Sequence, residues 1–396
     1  MSERPSVIFH EVGGRDPIDA ALRTRRGPGG FGRLDLLLRT RQALGLRATP
    51  APALVFVPLG VLLGPHVLNL LSPNVLGHLD AVVSVALATL GVFVGLALNP
   101  RSRQDRRLLW AADLESTVTI VMVAAATLFL LVAWQAPVDA PPLAAALTLG
   151  ICAAASSGGA AEVRGNLYHV VATHIAELDD VVPIVAGGLV LVALRGATVW
   201  QAGLLAALTG ALGLIVGAAG WLLFERAHDA AERGVFVVGT IVLLGGLAAY
   251  LSLSPLLAGL VAGWFWRQSP GRADRIIRDD LQKIQHPLVI LLLITSGASL
   301  EWSRLALWLF APFVLFRVAG KLAGAKAAER LAAPVTAAEL GAYLLPPGVI
   351  GIAFALNVLQ VAPPVTGSAV MAAVAAGSLV CELLALIELP GRGDEA

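Results

Sequence analysis

Long apolar runs alternate with short polar loops along most of this chain. Twelve of these runs approach the ~20 residues that an α-helix needs to cross a bilayer. The predicted spans are 52–71, 79–98, 109–134, 142–161, 171–194, 198–223, 235–252, 254–267, 286–299, 303–325, 336–359 and 366–389. The pattern predicts an all-α polytopic membrane protein with about 12 transmembrane helices.

Composition agrees with a membrane protein and disfavours several other classes. Of 396 residues, 57% are hydrophobic and 14% are charged, against about 25% charged residues in a typical soluble domain. No basic stripe is interleaved with aromatic residues, so we expect no nucleic-acid partner. We find no nucleophile–base set, phosphate-binding loop or convincing metal cluster, and we therefore expect neither an enzyme nor a cofactor.

The apolar pattern also divides the chain into three parts. Residues 1–50 form an arginine-rich arm with nine arginines in its first 47 residues, residues 51–390 form the transmembrane domain, and residues 391–396 form a short tail. No apolar run precedes Ala51, so we expect no signal peptide. The arm is either disordered or carries a short amphipathic segment on the membrane surface around Phe31–Leu46.

Arginine is concentrated in alternate loops. RSRQDRR (101–107), FERAHDAAERG (224–234) and RQSPGRADRIIRDDLQK (267–283) are dense in arginine, whereas the opposite loops are nearly free of it. Because positively charged loops stay on the cytoplasmic side, we expect both termini in the cytoplasm and the domain in the inner membrane.

Two adjacent carboxylates lie inside the fifth predicted span. Asp179 and Asp180 are ~13 Å from its cytoplasmic start at 1.5 Å per residue and point about 100° apart on a continuous helix. A charge inside a membrane is costly, so a retained one is a candidate functional group. Burial and a like-charged neighbour favour the protonated form of a carboxylic acid, which suits a proton carrier.

Two basic residues lie one helical turn apart in the tenth predicted span. Arg317 and Lys321 share one face, and Arg317 is ~12 Å from the cytoplasmic end, at the depth of the aspartates. Depth favours Arg317 as the partner of the aspartates and leaves Lys321 open. The alternative is that both residues only anchor a cytoplasmic helix end.

Two predicted spans carry helix-breaking residues at matching places in the two halves of the chain. Ser156, Ser157, Gly158 and Gly159 interrupt the fourth span, and Pro346, Pro347 and Gly348 interrupt the eleventh. Paired breaks of this kind indicate discontinuous helices that meet at a midplane site in inverted repeats. Their free carbonyl groups and helix ends can hold a dehydrated cation.

Other polar residues have weaker assignments. His174, Glu177 and Asp180 share a helical face, which fits a proton path or residues of the cytoplasmic mouth better than a metal site. Glu382 is buried in the last span and can pair with a neighbour. Asp113, Glu115 and Glu339 lie near helix starts, where the helix dipole favours carboxylates, and we assign them no chemistry.

Taken together, these motifs resemble the monovalent cation/proton antiporters of bacteria, in the branch of Kef-type potassium systems and Nap-type sodium/proton antiporters. The similarity covers residues 51–389. It is carried by LLGPHVLNLLSPNVLGHLDAVVSVALATLGVFVGLALNP, SPLLAGLVAGWFW, QHPLVILLLITSGASLEW and the Asp179–Asp180 pair.

The resemblance implies roles for several residues. By it, Asp180 binds the ion and the proton, Asp179 pairs with Arg317 or Lys321, and two discontinuous helices cross at the site. It also implies a homodimer in the lipid bilayer. The chain departs from the family at both helix breaks, where Ser-Ser-Gly-Gly replaces Thr-Asp-Pro or Thr-Ser-Pro, and Val349 replaces an expected glutamate.

The sequence therefore predicts an antiporter that exchanges Na⁺ or K⁺ for H⁺ by alternating access at a two-aspartate site. The departures leave the choice of ion open, and the proton stoichiometry is open as well. Three alternatives on the same fold remain: a proton-uncoupled K⁺ efflux channel, an organic-ion carrier, and a non-transporting membrane module.

Overall fold

The computed structural model describes residues 52–98, 103–157, 166–194, 198–269, 273–333 and 335–388. The predicted arm, tail and Gly158 lie outside these ranges. Within them the structure is helical, and the β-type pairing recorded there is a single isolated bridge. The all-α prediction is therefore confirmed.

Fourteen helices follow one another in the described residues. They are α1 (Pro52–Leu63), α2 (Pro73–Ala97), α3 (Arg103–Ala133), α4 (Pro142–Ala154), α5 (Asn166–Leu178), α6 (Val181–Ala193), α7 (Val199–Arg226), α8 (Ala230–Tyr250), α9 (Pro255–Gln268), α10 (Ala273–Ala298), α11 (Arg304–Ala332), α12 (Ala337–Tyr343), α13 (Val349–Val361) and α14 (Pro364–Glu388).

The order of the predicted spans is confirmed, with α5 and α6 sharing the fifth span and α12 and α13 sharing the eleventh. Several bounds differ from the prediction. Helix α3 begins at Arg103, α7 ends at Arg226, and α8 and α10 begin at Ala230 and Ala273, so all three arginine-rich loops are partly helical. Helix α11 continues to Ala332 rather than 325, because polar residues extend a helix beyond the apolar stretch that hydropathy detects.

Local sequence explains where many helices start. Proline occupies the first helical position of α2, α4 and α9, where its missing N–H costs no hydrogen bond. Thr198 and Thr336 each form a capping box with the residue three positions later. Such caps satisfy backbone N–H groups that have no partner inside the helix.

The helices pack as two groups. The first helix group contains α1, α2 and α7–α10, and its most extensive contact joins α2 to α9. The second helix group contains α3–α6 and α11–α14, and its most extensive contact joins α3 to α11. In this group the long helices α3 and α11 are each followed by a helix that ends at a break, α4 at Ala154 and α12 at Tyr343.

Glycines hold α2 and α9 backbone to backbone. A Cβ atom added to Gly91 would lie 2.1 Å from the carbonyl oxygen of Leu256, and one added to Gly259 would lie 2.1 Å from that of Ala88. Close approach through small residues is typical of helix pairs in membranes. This contact makes the first helix group a tightly packed body.

Helix lengths and surfaces are those of a multi-pass membrane protein. Within the described residues, six helices are long and apolar enough to cross a membrane: Pro73–Ala97, Arg106–Ala133, Trp200–Arg226, Ala231–Tyr250, Arg304–Ala332 and Pro364–Ala385. Large apolar side chains such as Phe129, Ile215 and Leu315 are exposed on their outer faces. Contact of such apolar faces with water is unfavourable, and lipid can cover them instead.

Candidate ion- and proton-binding site

The two predicted helix breaks meet in space. Helix α4 ends at Ala154, and the chain then runs extended through Ser156, which forms an antiparallel bridge with Pro347. The N–H of Ser157 donates to the carbonyl of Pro346 at 3.1 Å, and the N–H of Gly348 donates to that of Ala155 at 3.0 Å. The crossing of two discontinuous helices is therefore confirmed.

Arg317 clamps the carbonyl ends at this crossing. Its guanidinium donates to the carbonyl of Ala153, to that of Ala155 at 3.0 Å and to that of Leu345 at 3.3 Å. The last carbonyl groups of a helix have no intrahelical partner and carry partial negative charge. A fully buried arginine therefore stabilises the end of α4 and the break after α12 together.

Lys321 is the basic residue that contacts the aspartates. Its Nζ lies 3.3 Å from Oδ2 of Asp179 and 3.1 Å from Oε2 of Glu115, and it also donates to the carbonyl of Ala154. All three side chains in these ion pairs are fully buried. Depth alone favours Arg317 for this position, but in the structure Arg317 binds backbone carbonyls instead.

The aspartate pair occupies a turn rather than the middle of a continuous helix. Helix α5 ends at Leu178 and α6 begins at Val181, with Asp179 and Asp180 between them. Asp180 keeps near-helical backbone angles, φ −76° and ψ −16°. The carboxylates therefore lie at a joint between two helices that the sequence pattern does not reveal.

One oxygen at this joint, the buried Oδ1 of Asp180, has no hydrogen-bond partner among the described residues. Asp179 lies near the buried hydroxyl of Ser156 at the break after α4. Asp180 is buried and interacts electrostatically with Asp179, Lys321 and Arg317. Leaving a buried polar group unpaired costs about 1–3 kcal/mol. A bound cation or proton would remove that cost.

Two further carboxylates complete the charges of the site. Glu115 on α3 is fully buried, and Thr119 donates to its Oε1 at 3.1 Å. Glu382 on α14 is also buried and lies within electrostatic reach of Arg317. With Asp179 and Asp180 there are four carboxyl groups around two basic groups, an excess of two negative charges when all are ionised.

Sequence reasoning gives Glu115 no role, although the structure places it in the centre of the site. The predicted span starts at residue 109, which places Glu115 within its first two turns. In the structure α3 begins at Arg103, which moves Glu115 deeper. The available signal is the run LESTVTIV, in which Glu115 and Thr119 share a face of an otherwise apolar segment.

His174 and Glu177 lie on α5, within two turns before the aspartates. Nδ1 of His174 is 3.7 Å from Oε2 of Glu177, and their side chains are 33% and 54% exposed. They are therefore more accessible than Asp180, at 8%. In the part of the chain that the structure describes, no group of three potential metal ligands comes together.

The fold has relatives among solved structures. Forty-three chains match, and one is the structure of the sodium proton antiporter MjNhaP1 from Methanocaldococcus jannaschii at pH 8. It aligns at 14% sequence identity and a TM-score of 0.60, over 89% of this chain and 92% of that chain. No protein-family model and no curated protein sequence matches this chain.

This similarity establishes the architecture. The chain has the sodium/proton antiporter-like fold, with discontinuous helices crossing beside buried carboxylates. The similar structure is that of a transporter. At 14% identity the ion, the chemistry and the roles of individual residues rest on the geometry of this site alone.

Proposed function

We propose that the protein is a secondary active antiporter that exchanges a monovalent cation, Na⁺ or K⁺, for H⁺. The observation that carries the proposal is the pair of buried carboxylates, Asp179 and Asp180, beside Lys321 at the helix crossing. An ionisable group inside a membrane domain is a candidate functional site by default, and here six of them form one cluster.

Competition at Asp180 couples the two fluxes in this proposal. Its Oδ1 is buried and has no partner among the described residues, whereas Oδ2 of Asp179 is held by Lys321. Asp180 therefore binds either a proton or a cation, with Ser156 and the carbonyl groups of the crossing as further oxygen ligands. The excess of two negative charges makes an empty, fully ionised site unfavourable, so an occupant is always favoured.

Alternating access would use the two helix groups. The second helix group carries every residue of the site, and the first helix group packs against it less extensively than either group packs internally. Movement of one group against the other can expose Asp180 to one side and then the other. We further propose an inner-membrane location, cytoplasmic termini and a homodimer, in line with the loop charges and the resemblance.

Transport in proteoliposomes tests the proposal. The purified protein is reconstituted with a pH-sensitive dye inside, and Na⁺, K⁺ or Li⁺ is added across a range of pH values. We expect proton movement in response to at least one cation, and loss of that movement in Asp180→Asn. The responding cation identifies the substrate.

Glu301→Gln is the matched control, because Glu301 is an exposed carboxylate outside the helices. It should transport like the wild type. An ion flux that ignores the pH gradient would favour a channel. Absence of any response in correctly inserted protein would overturn the proposal in favour of an organic-ion carrier or a non-transporting module.

A further inference from the structure

A second polar site lies away from the helix crossing, at the seam between the two helix groups. A cavity of about 200 Å³ is formed by α2, the end of α10 and the end of α13. Its polar wall consists of Asp80, Thr295, Ser299 and Gln360, and apolar side chains of α2 and α13 form the rest. The volume is many times what one water molecule needs.

The polar wall of this cavity is organised. Nε2 of Gln360 donates to Oδ1 of Asp80 at 3.2 Å and to the carbonyl of Asp80 at 3.4 Å. This pair joins α13 of the second helix group to α2 of the first. Both residues are exposed, so the cavity opens at the end of the bundle where α2 begins.

Thr295 points independently to a ligand. It is only 5% exposed and lines the cavity, and its Oγ1 has no hydrogen-bond partner among the described residues. A buried hydroxyl that faces a polar cavity large enough for water is expected to bind water or a ligand. The oxygens present are a carboxylate, two hydroxyls and an amide carbonyl, a set that suits a hard cation.

We propose that this cavity is a second binding site for a monovalent cation, in which the ion is held with part of its hydration shell before or after it reaches Asp180. The inference deepens the proposed function and rests on it for the identity of the ion. Asp80 supplies the negative charge, and Gln360 fixes the orientation of that carboxylate. The hydroxyls of Thr295 and Ser299 replace water ligands.

The position of the cavity gives this site a role in access. Helix α13 begins at the crossing, beside Ser156, and its far end carries Gln360 at the cavity. A cation in the cavity therefore lies along the helix whose start lines the central site. Because α13 and α2 belong to different groups, relative movement of the groups would change the Asp80–Gln360 contact and the affinity of the site.

Transport kinetics test the role of Asp80. In vesicles sorted for one orientation, Asp80→Asn should raise KM for the cation about fivefold on the face where the cavity opens, as loss of a unit charge about 4 Å from the ion predicts. The maximal rate and the KM from the opposite face should not change. Glu301→Gln removes a carboxylate from the same end of the bundle, outside the cavity, and should leave both values unchanged.

Binding tests the site without transport. Thallous ion, used as a scatterer in place of the cation, should appear in the cavity of wild type and of Asp180→Asn, but not in Asp80→Asn or Thr295→Val. A wild type that exchanges no cation but holds thallium in the cavity would refute the proposed function and retain this site. An empty wild-type cavity, or equal KM values for wild type and Asp80→Asn, would overturn the inference.

Discussion

Nζ of Lys321 lies 3.3 Å from Oδ2 of Asp179, and both side chains are fully buried. One turn earlier on the same helix, the guanidinium of Arg317 donates hydrogen bonds to three backbone carbonyl groups. The two basic residues therefore have different tasks. Lys321 balances the carboxylates, and Arg317 fixes the helix ends that frame them.

The Lys321–Asp179 pair predicts a strong interaction between the two residues in stability measurements. Lys321→Met leaves Asp179 and Glu115 buried without their cation, and removing one partner of a buried pair typically costs about 3–5 kcal/mol. Asp179→Asn added to Lys321→Met should recover much of this loss. Thermal unfolding of the detergent-purified single and double variants measures the difference. Strictly additive effects would show that the two residues do not interact.

Arg317→Lys should lower stability while preserving proton coupling. An ammonium cannot reproduce the planar fork that reaches three carbonyl groups, and each lost hydrogen bond costs about 0.5–1.5 kcal/mol. The contact between Lys321 and Asp179 remains, so the cation-evoked proton movement should persist at a lower unfolding temperature. A stable Arg317→Lys protein that has lost proton coupling would contradict the assignment of Arg317 as a clamp.

Gly348 should not tolerate a side chain. A Cβ atom there would lie 2.9 Å from the carbonyl carbon of Ser156. Gly348→Ala therefore forces apart the two extended segments that meet at the helix crossing. We expect a loss of roughly 1–3 kcal/mol, the usual range for overpacking, together with reduced transport. Gly239 on α8 has open space, and Gly239→Ala is the matched control. Equal behaviour of the two variants in unfolding and transport assays would contradict the close crossing.

Asp139 lies in the loop between α3 and α4 and caps the start of helix α14. Its Oδ2 accepts from the N–H of Val365 at 2.9 Å, and its Oδ1 accepts from the N–H and the hydroxyl of Thr366 at 2.9 and 2.5 Å. Slight burial raises the pKa of the Asp139 carboxyl, but these hydrogen bonds lower it more and hold it below its usual value. Asp139→Ala should cost about 1 kcal/mol at neutral pH, as for other lost caps.

The same contact predicts a pH dependence with a definite sign. A carboxyl whose pKa is lower in the folded protein contributes stability above its unfolded pKa of about 3.9. That contribution is lost as the pH falls from about 4 through the lowered pKa. The stability difference between wild type and Asp139→Ala should therefore be constant near pH 7 and shrink in acid. A difference that grows in acid would refute the cap.

Much of the fold could be predicted because the membrane imposes a simple pattern. A bilayer requires long apolar helices, so runs of apolar residues give their order directly, and the breaks at Ser156 and Pro347 stand out against that background. The crossing of these breaks follows from their matching places in two repeats. None of this requires knowledge of side-chain contacts.

The pairing of the charged residues could not be predicted, because the hydropathy pattern does not report side-chain contacts. Hydropathy ends the tenth span at residue 325, whereas α11 continues to Ala332, and this shift makes Arg317 rather than Lys321 appear level with the aspartates. The start of α3 is misplaced in the same way, which hides Glu115. The rotation of each helix in the bundle decides which of its faces contacts which neighbour. That rotation cannot be inferred from a single sequence.

The most direct test of the central claim is proton release when the cation binds to purified protein in detergent, without any gradient. Titration of a weakly buffered wild-type sample with Na⁺ and with K⁺, across neutral to alkaline pH, should release protons for at least one of them. Asp180→Asn should release none, and Glu301→Gln should match the wild type. Cation binding without proton release, or equal release from Asp180→Asn, would contradict competition at Asp180.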